Sequence, residues 1–136
     1  MTTPIVVLVV ENHPELRDML IEALGWEGFE VVAARDEAEA THVLRNRAVD
    51  LLVSDPPSFE DVQRALDVLA ALEREFPDLP VIAVAEEVPE PVYFHPWTTA
   101  GRKRTLRRPF RLSDLIGACR EAVADAIEVQ EQEEGG

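Results

Sequence analysis

The sequence predicts a doubly wound α/β domain on a five-stranded parallel sheet, on three observations. Short apolar runs rich in β-branched residues recur along the chain, segments of helical periodicity separate them, and most runs end in polar or charged residues. Strands apolar throughout are buried on both faces, as in a parallel sheet covered by helices on both sides. Alternation of strand and helix then implies parallel strands joined by right-handed crossovers.

Ile5–Val10 is the first such run. Asn12 or His13 caps the helix that follows, with Pro14 in its first turn and Leu16, Leu20, Ala23 and Leu24 on one stripe. Gly25 and Gly28 punctuate its end, and Phe29–Ala33 reads as a second strand. Asp36 caps a second helix with Ala38, Ala40, Val43 and Leu44 inward. Leu51–Ser54 is the third strand and leads into Asp55-Pro56-Pro57. A third helix fits roughly Phe59 to Phe76, with Val62, Leu66, Leu69 and Leu72 inward, before Pro77 and Pro80 stop it. Val81–Ala85 is the fourth strand.

The regularity then fails. Pro89, Pro91 and Pro96 disfavour helix across Glu86–Gly101, so the fourth helix is expected to be shortened or missing. A weak fifth strand is placed near Arg104–Arg107, with Leu106 inward. Ser113 is read as the cap of a last helix whose stripe is Leu115, Ile116, Cys119, Val123 and Ile127. Residues 1–127 form the expected domain, and the acidic tail 128–136 is expected to be disordered.

Composition narrows the function. A chain of 136 residues fits one domain, and its 46% hydrophobic and 29% charged content is ordinary for a soluble protein. The apolar start is too short for a signal peptide or a membrane span, so a cytoplasmic protein with no membrane association is expected. Cys119 is the only cysteine and His13, His42 and His95 are scattered, which leaves no zinc-ligand spacing. The net charge of −14 argues against direct nucleic-acid binding. Residues 91–113 nevertheless carry six bases (Arg102, Lys103, Arg104, Arg107, Arg108 and Arg111) and no acid, so the rest of the chain holds −20. Such a run reads as a solvated edge or as a docking surface. Tyr93, Phe94 and Trp97, set among the prolines, either fill the gap left by the fourth helix or form a partner-binding patch.

In an open parallel sheet, ligands bind beyond the carboxyl ends of the strands. Four segments deliver groups there: Glu11-Asn12, Asp55, Ala85-Glu86 and Arg108. Acids from two strand ends with one cation suit a hard metal and a phosphoryl group, since magnesium takes oxygen ligands and keeps several waters.

Over roughly residues 4–127 the sequence resembles the receiver domain of bacterial response regulators, a flavodoxin-like fold. The carriers are LVVENHPELRDML, GFEVVAARDEAEATHVL, VDLLVSD, LPVIAVA and RRPF, in the family's order and spacing. The resemblance implies that Asp55 is the phosphoacceptor, and that Glu11, Asn12, Asp55 and the Pro57 carbonyl would form a weak magnesium site. Asn12 stands where the family has an acid, and so brings no charge. Ala85 stands at the family's Ser/Thr switch position, where a methyl group can donate nothing. Arg108 replaces the lysine with a planar fork able to clamp Asp55. Thr105 takes the place of the aromatic switch residue.

The expectation is therefore a stand-alone atypical receiver, not an enzyme, acting through protein–protein contacts with a weak or absent phosphorylation switch. Its partner would be a histidine kinase or another signalling protein, with a homodimer left open. The alternative is a conventional magnesium-dependent receiver phosphorylated on Asp55. A third reading, a small flavodoxin-like nucleotide or flavin binder, is disfavoured because the turn ENHPE has no glycine to admit a phosphate.

Overall fold

The computed structural model describes residues 4–11, 13–54, 71, 74–85, 103–107 and 111–135. Its elements are β1 (Val6–Val10), α1 (Pro14–Trp26), β2 (Glu30–Ala34), α2 (Glu37–Asn46), β3 (Leu51–Ser54), β4 (Val81–Ala85), β5 (Lys103–Arg107) and α3 (Leu112–Gly135). The third and fourth strands match the sequence expectation residue for residue, and β2 is shifted by one. Ala71, Arg74 and Glu75 are helical, which agrees with a third helix ending before Pro77. The rest of that helix, and the segment of the expected fourth-helix defect, lie outside the described residues.

All five strands pair in parallel, in the order β2-β1-β3-β4-β5. This is the doubly wound order of flavodoxin-like folds, and β1 and β3 flank the point where the winding reverses. The apolar runs are continuous because alternate side chains feed opposite layers. Val7, Val9, Leu51, Val53 and Ile82 pack with Leu20 and Leu24 of α1 and with Leu115, Cys119, Ala122 and Val123 of α3. Leu8, Val10, Leu52 and Val81 pack on the other face with Ala40 and Leu44 of α2. Each fully buried Leu or Val contributes on the order of 1.5–3 kcal/mol.

Helix ends are set locally. His13 caps α1, its ring Nδ1 accepting the Leu16 N–H at 3.5 Å, and Pro14 fills the first turn. At the other end Gly28 adopts φ +92°. The N–H groups of Gly28 and Phe29 donate back to the carbonyls of Gly25 and Leu24 at 3.1 and 3.2 Å. These paired bonds, with Phe29 and Leu24 in one apolar cluster, form a Schellman stop. Gly25 lies inside the helix, so Gly28 alone is the punctuation. Asp36 caps α2 as expected, Oδ1 accepting the Glu39 N–H at 2.9 Å. Ala38 is exposed rather than inward, because the buried line of α2 runs through Ala40 and Leu44 and a position two residues before Ala40 points away from it. Arg45 grips Glu75 through Nε and Nη2, joining α2 to the residues just before Pro77.

Two expectations for the last helix are corrected. Ser113 is not the cap: α3 begins at Leu112, and the Arg111 carbonyl accepts the N–H groups of Asp114 and Leu115. Arg111 offers no side-chain acceptor, so the acid at the third helical position serves instead, Asp114 Oδ2 accepting the Arg111 N–H at 3.0 Å. The acidic tail also continues as helix to Gly135. Glu and Gln between 128 and 134 are good helix formers, and the helix they extend is already anchored by Leu115, Cys119 and Val123.

Candidate functional site at the carboxyl edge of the sheet

Strand register assembles the edge. Val10 pairs with Ala34 on β2 and with Ser54 on β3, Ser54 pairs with Ala83 on β4, and Ala83 pairs with Thr105 on β5. One row of residues therefore crosses the whole sheet just below its carboxyl end. Glu11 is the residue after this row on β1, and Asp55 is the next in sequence after Ser54 on β3. Ala85 stands two residues beyond Ala83 and pairs with Arg107, the last residue of β5, which Arg108 follows.

Glu11 is the one buried charged residue among those described, only 4% exposed. Its backbone N–H donates to the Ala34 carbonyl at 3.1 Å, fastening it to the end of β2. Oε1 accepts the His13 N–H at 3.1 Å, and Arg17 Nη1 reaches the Glu11 carbonyl at 3.4 Å. The acid is thus held at the mouth of the β1–α1 turn, beside the start of α1, where the helix dipole favours negative charge. Arg17 escaped the sequence reading. The signal was there, since a residue in the first turn of α1 projects back over the preceding strand end.

Of the residues expected at the site, Glu11 and Ala85 fall among the described ones, Ala85 by its backbone as the final residue of β4. Asn12, Asp55, Pro57 and Arg108 lie outside the described residues, as do Tyr93, Phe94 and Trp97. His13 is an exposed capping residue, as its sequence context suggests. Cys119 is fully buried core, and burial pushes its thiol up to about 12. Among the described residues no cluster of three metal-ligating side chains occurs, and no helix is long and apolar enough to cross a membrane.

A doubly wound sheet of this strand order, with a buried acid beside its switch point, defines a flavodoxin-like α/β domain. The chain belongs to the response regulator receiver domain family, whose model matches residues 7–120. It is 32% identical over 114 residues to the probable transcriptional regulatory protein TcrX of Mycobacterium tuberculosis, a match covering 83% of this chain and 47% of that protein. The chain thus spans about half the length of that relative. Among solved structures it resembles a CheY-like receiver domain protein from Methanospirillum hungatei, with TM-score 0.80 and 20% identity, covering 93% of this chain and 98% of that one. It also resembles TrrA from Thermotoga maritima, solved in complex with Mg(2+)-BeF, with TM-score 0.71 and 21% identity, covering 87% of this chain and 98% of that one. At these identities the structural likenesses establish the fold. The family places the chain in two-component signal transduction, where receiver domains bind magnesium for phosphorylation and interact with histidine kinases.

Proposed function

We propose that this chain is an atypical receiver that signals by binding other proteins, with a weak or absent phosphorylation switch at Asp55. The observation that carries the reading is Ala85. It closes β4 at the carboxyl edge, where the family uses a hydroxyl to grip the phosphoryl group, and a methyl group offers no donor. Asn12 removes a further charge from the metal position, and Arg108 brings a fork that can occupy Asp55 bidentately. The unit is the receiver domain of residues 1–127 with its last helix carried on into the acidic tail, it works in the cytoplasm, and it turns over no substrate.

The donor set is chemically suited to magnesium, though weakly. Glu11 is buried and fixed by the His13 N–H, and Asp55 would supply the second carboxylate, with Asn12 and the Pro57 carbonyl as neutral oxygens. The metal would neutralise charge on a phosphoryl group at Asp55. Glu11 orients the edge, and Arg108 supplies the remaining positive charge.

The test is incubation with magnesium and acetyl phosphate, followed by intact mass. Only a trace of adduct at millimolar magnesium is expected. A stoichiometric adduct that vanishes in Asp55→Asn would favour the alternative instead, a conventional receiver whose Asp55 accepts phosphoryl groups.

A further inference from the structure

The end of α3 forms a helix that its own charges oppose. α3 runs from the carboxyl end of β5 back along the sheet, and Val123 lines a cavity at the amino edge. Ile5, Asp50 and Pro80, the residues just before β1, β3 and β4, line the same cavity. The helix then continues from residue 124 to Gly135, about 18 Å beyond that edge. After Arg120 the chain carries Glu121, Asp125, Glu128, Glu131, Glu133 and Glu134 and no base. Asp125, Glu128, Glu131 and Glu134 follow one another at spacings of three, which makes like charges neighbours on the helix. Acids in the last turn also meet the negative end of the helix dipole, with no base there to offset them. Such a helix requires positive charge from outside itself.

The sheet brings that charge to the same place. β5 starts at Lys103, which pairs with Val81, the first residue of β4, so β5 begins at the amino edge. Arg104 pairs with Ile82, which packs in the layer of α1 and α3, and so holds a register position on the α3 face of the sheet. Arg120 fixes which side of α3 faces β5, because it bonds Glu27 at the end of α1. α1 packs on β1 and β2, and α3 on β3, β4 and β5, so the flank of α3 away from Arg120 lies towards β5. Helical spacing places Glu121 and Asp125 on that flank, one turn apart, and Glu128 continues the line.

We propose that the acidic end of α3 closes over the amino end of β5 and shields Lys103 and Arg104, holding shut in cis a docking surface for an acidic protein segment. The two segments are the chain's extremes of charge, six bases and no acid over residues 91–113 against six acids and no base over residues 121–136. The bases offset the repulsion along the tail and so favour its helix. An acidic partner has to displace a competitor that its attachment to α3 keeps at high local concentration. Neutralising the tail therefore opens the surface without adding a contact. The docking half of the inference rests on the reading that this domain signals through protein contacts. Neither half involves Asp55, and the contact in cis is measured with no partner present.

The contact is read by amide hydrogen exchange of residues 125–135 in the full chain. Protection at low salt should fall by about threefold or more at about 1 M sodium chloride, where charges are screened within about 3 Å. Lys103→Gln/Arg104→Gln should show the same loss at low salt. Should that variant unfold, the salt series on the unaltered chain decides alone. The docking surface is read with a peptide of glutamates as the probe. Glu128→Gln/Glu131→Gln/Glu134→Gln should bind it about tenfold or more tighter than the unaltered chain. Glu15→Gln/Asp18→Asn/Glu22→Gln, which changes net charge equally on α1, should not. Tail protection indifferent to salt and to the two bases would overturn the proposal, as would equal peptide binding by the two triple variants. Tighter binding of duplex DNA than of the peptide would do the same, since it makes nucleic acid the excluded ligand. So would protection that rises with protein concentration, which puts the tail on a second copy.

Discussion

The Glu11 carboxylate accepts the backbone N–H of His13 through Oε1 at 3.1 Å, while Arg17 holds the Glu11 carbonyl from the first turn of α1. The acid at the end of β1 is therefore oriented by its neighbours in the β1–α1 turn. What the edge lacks, on the reading proposed above, is charge at residue 12 and a hydroxyl at residue 85.

Restoring both should restore the chemistry. Asn12→Asp is expected to raise magnesium affinity about tenfold or more, because it adds a full charge close to the ion. Combined with Ala85→Thr, it should raise the phosphorylated fraction after acetyl phosphate treatment, read by intact mass. Unchanged magnesium titration and mass spectra in the double variant would count against the assignment of these two positions.

The start of α3 offers a paired test of capping. Asp114→Ala removes the acceptor of the Arg111 N–H and should cost about 1 kcal/mol. Ser113→Ala, at an exposed position in the first turn, should stay within about 0.5 kcal/mol. Urea midpoints of the two variants decide between Asp114 and Ser113 as the capping residue.

Gly28 stops α1 at φ +92°, and a Cβ built there meets nothing within 4 Å. The cost of Gly28→Ala is therefore conformational rather than steric crowding, about 1–2 kcal/mol. Thermal unfolding should show a lowered midpoint with no change in the far-ultraviolet helix signal at 25 °C.

Cys119 should resist alkylation in the native state and react rapidly once urea unfolds the chain. Its thiol is raised from an ordinary value of 9.0 to about 12 by burial, so the folded protein disfavours the thiolate. The corresponding stability is fully present below about pH 9 and is lost as pH rises from about 9 towards about 12, where the unfolded chain sheds the proton first. Cys119→Ala should flatten that part of the stability profile.

Much of the fold was legible because its signals are local. Leu51–Ser54 and Val81–Ala85 are apolar runs bounded by proline or aspartate, and Asp36 and Pro14 carry helix-start chemistry in single residues. The capping of α3 was misread because serine and aspartate both suit a helix start, and only the backbone bond from Arg111 distinguishes them. The helical tail was misread because charge pattern alone does not report the anchoring of the preceding turns. Ala122 escaped notice for a similar reason: its burial depends on the sheet beneath α3, not on hydrophobicity.

By itself the sequence determined that strands and helices alternate, that both sheet faces are covered, and that an acid ends each of two strand segments. Those are consequences of side-chain period and backbone chemistry within a few residues. The tertiary structure alone decided the strand order β2-β1-β3-β4-β5 and the row Val10–Ser54–Ala83, because pairing depends on which helix covers which face. It also decided that Glu11 is buried and pinned while Trp26 stands in solvent, since exposure is a property of the packed layers rather than of the residue.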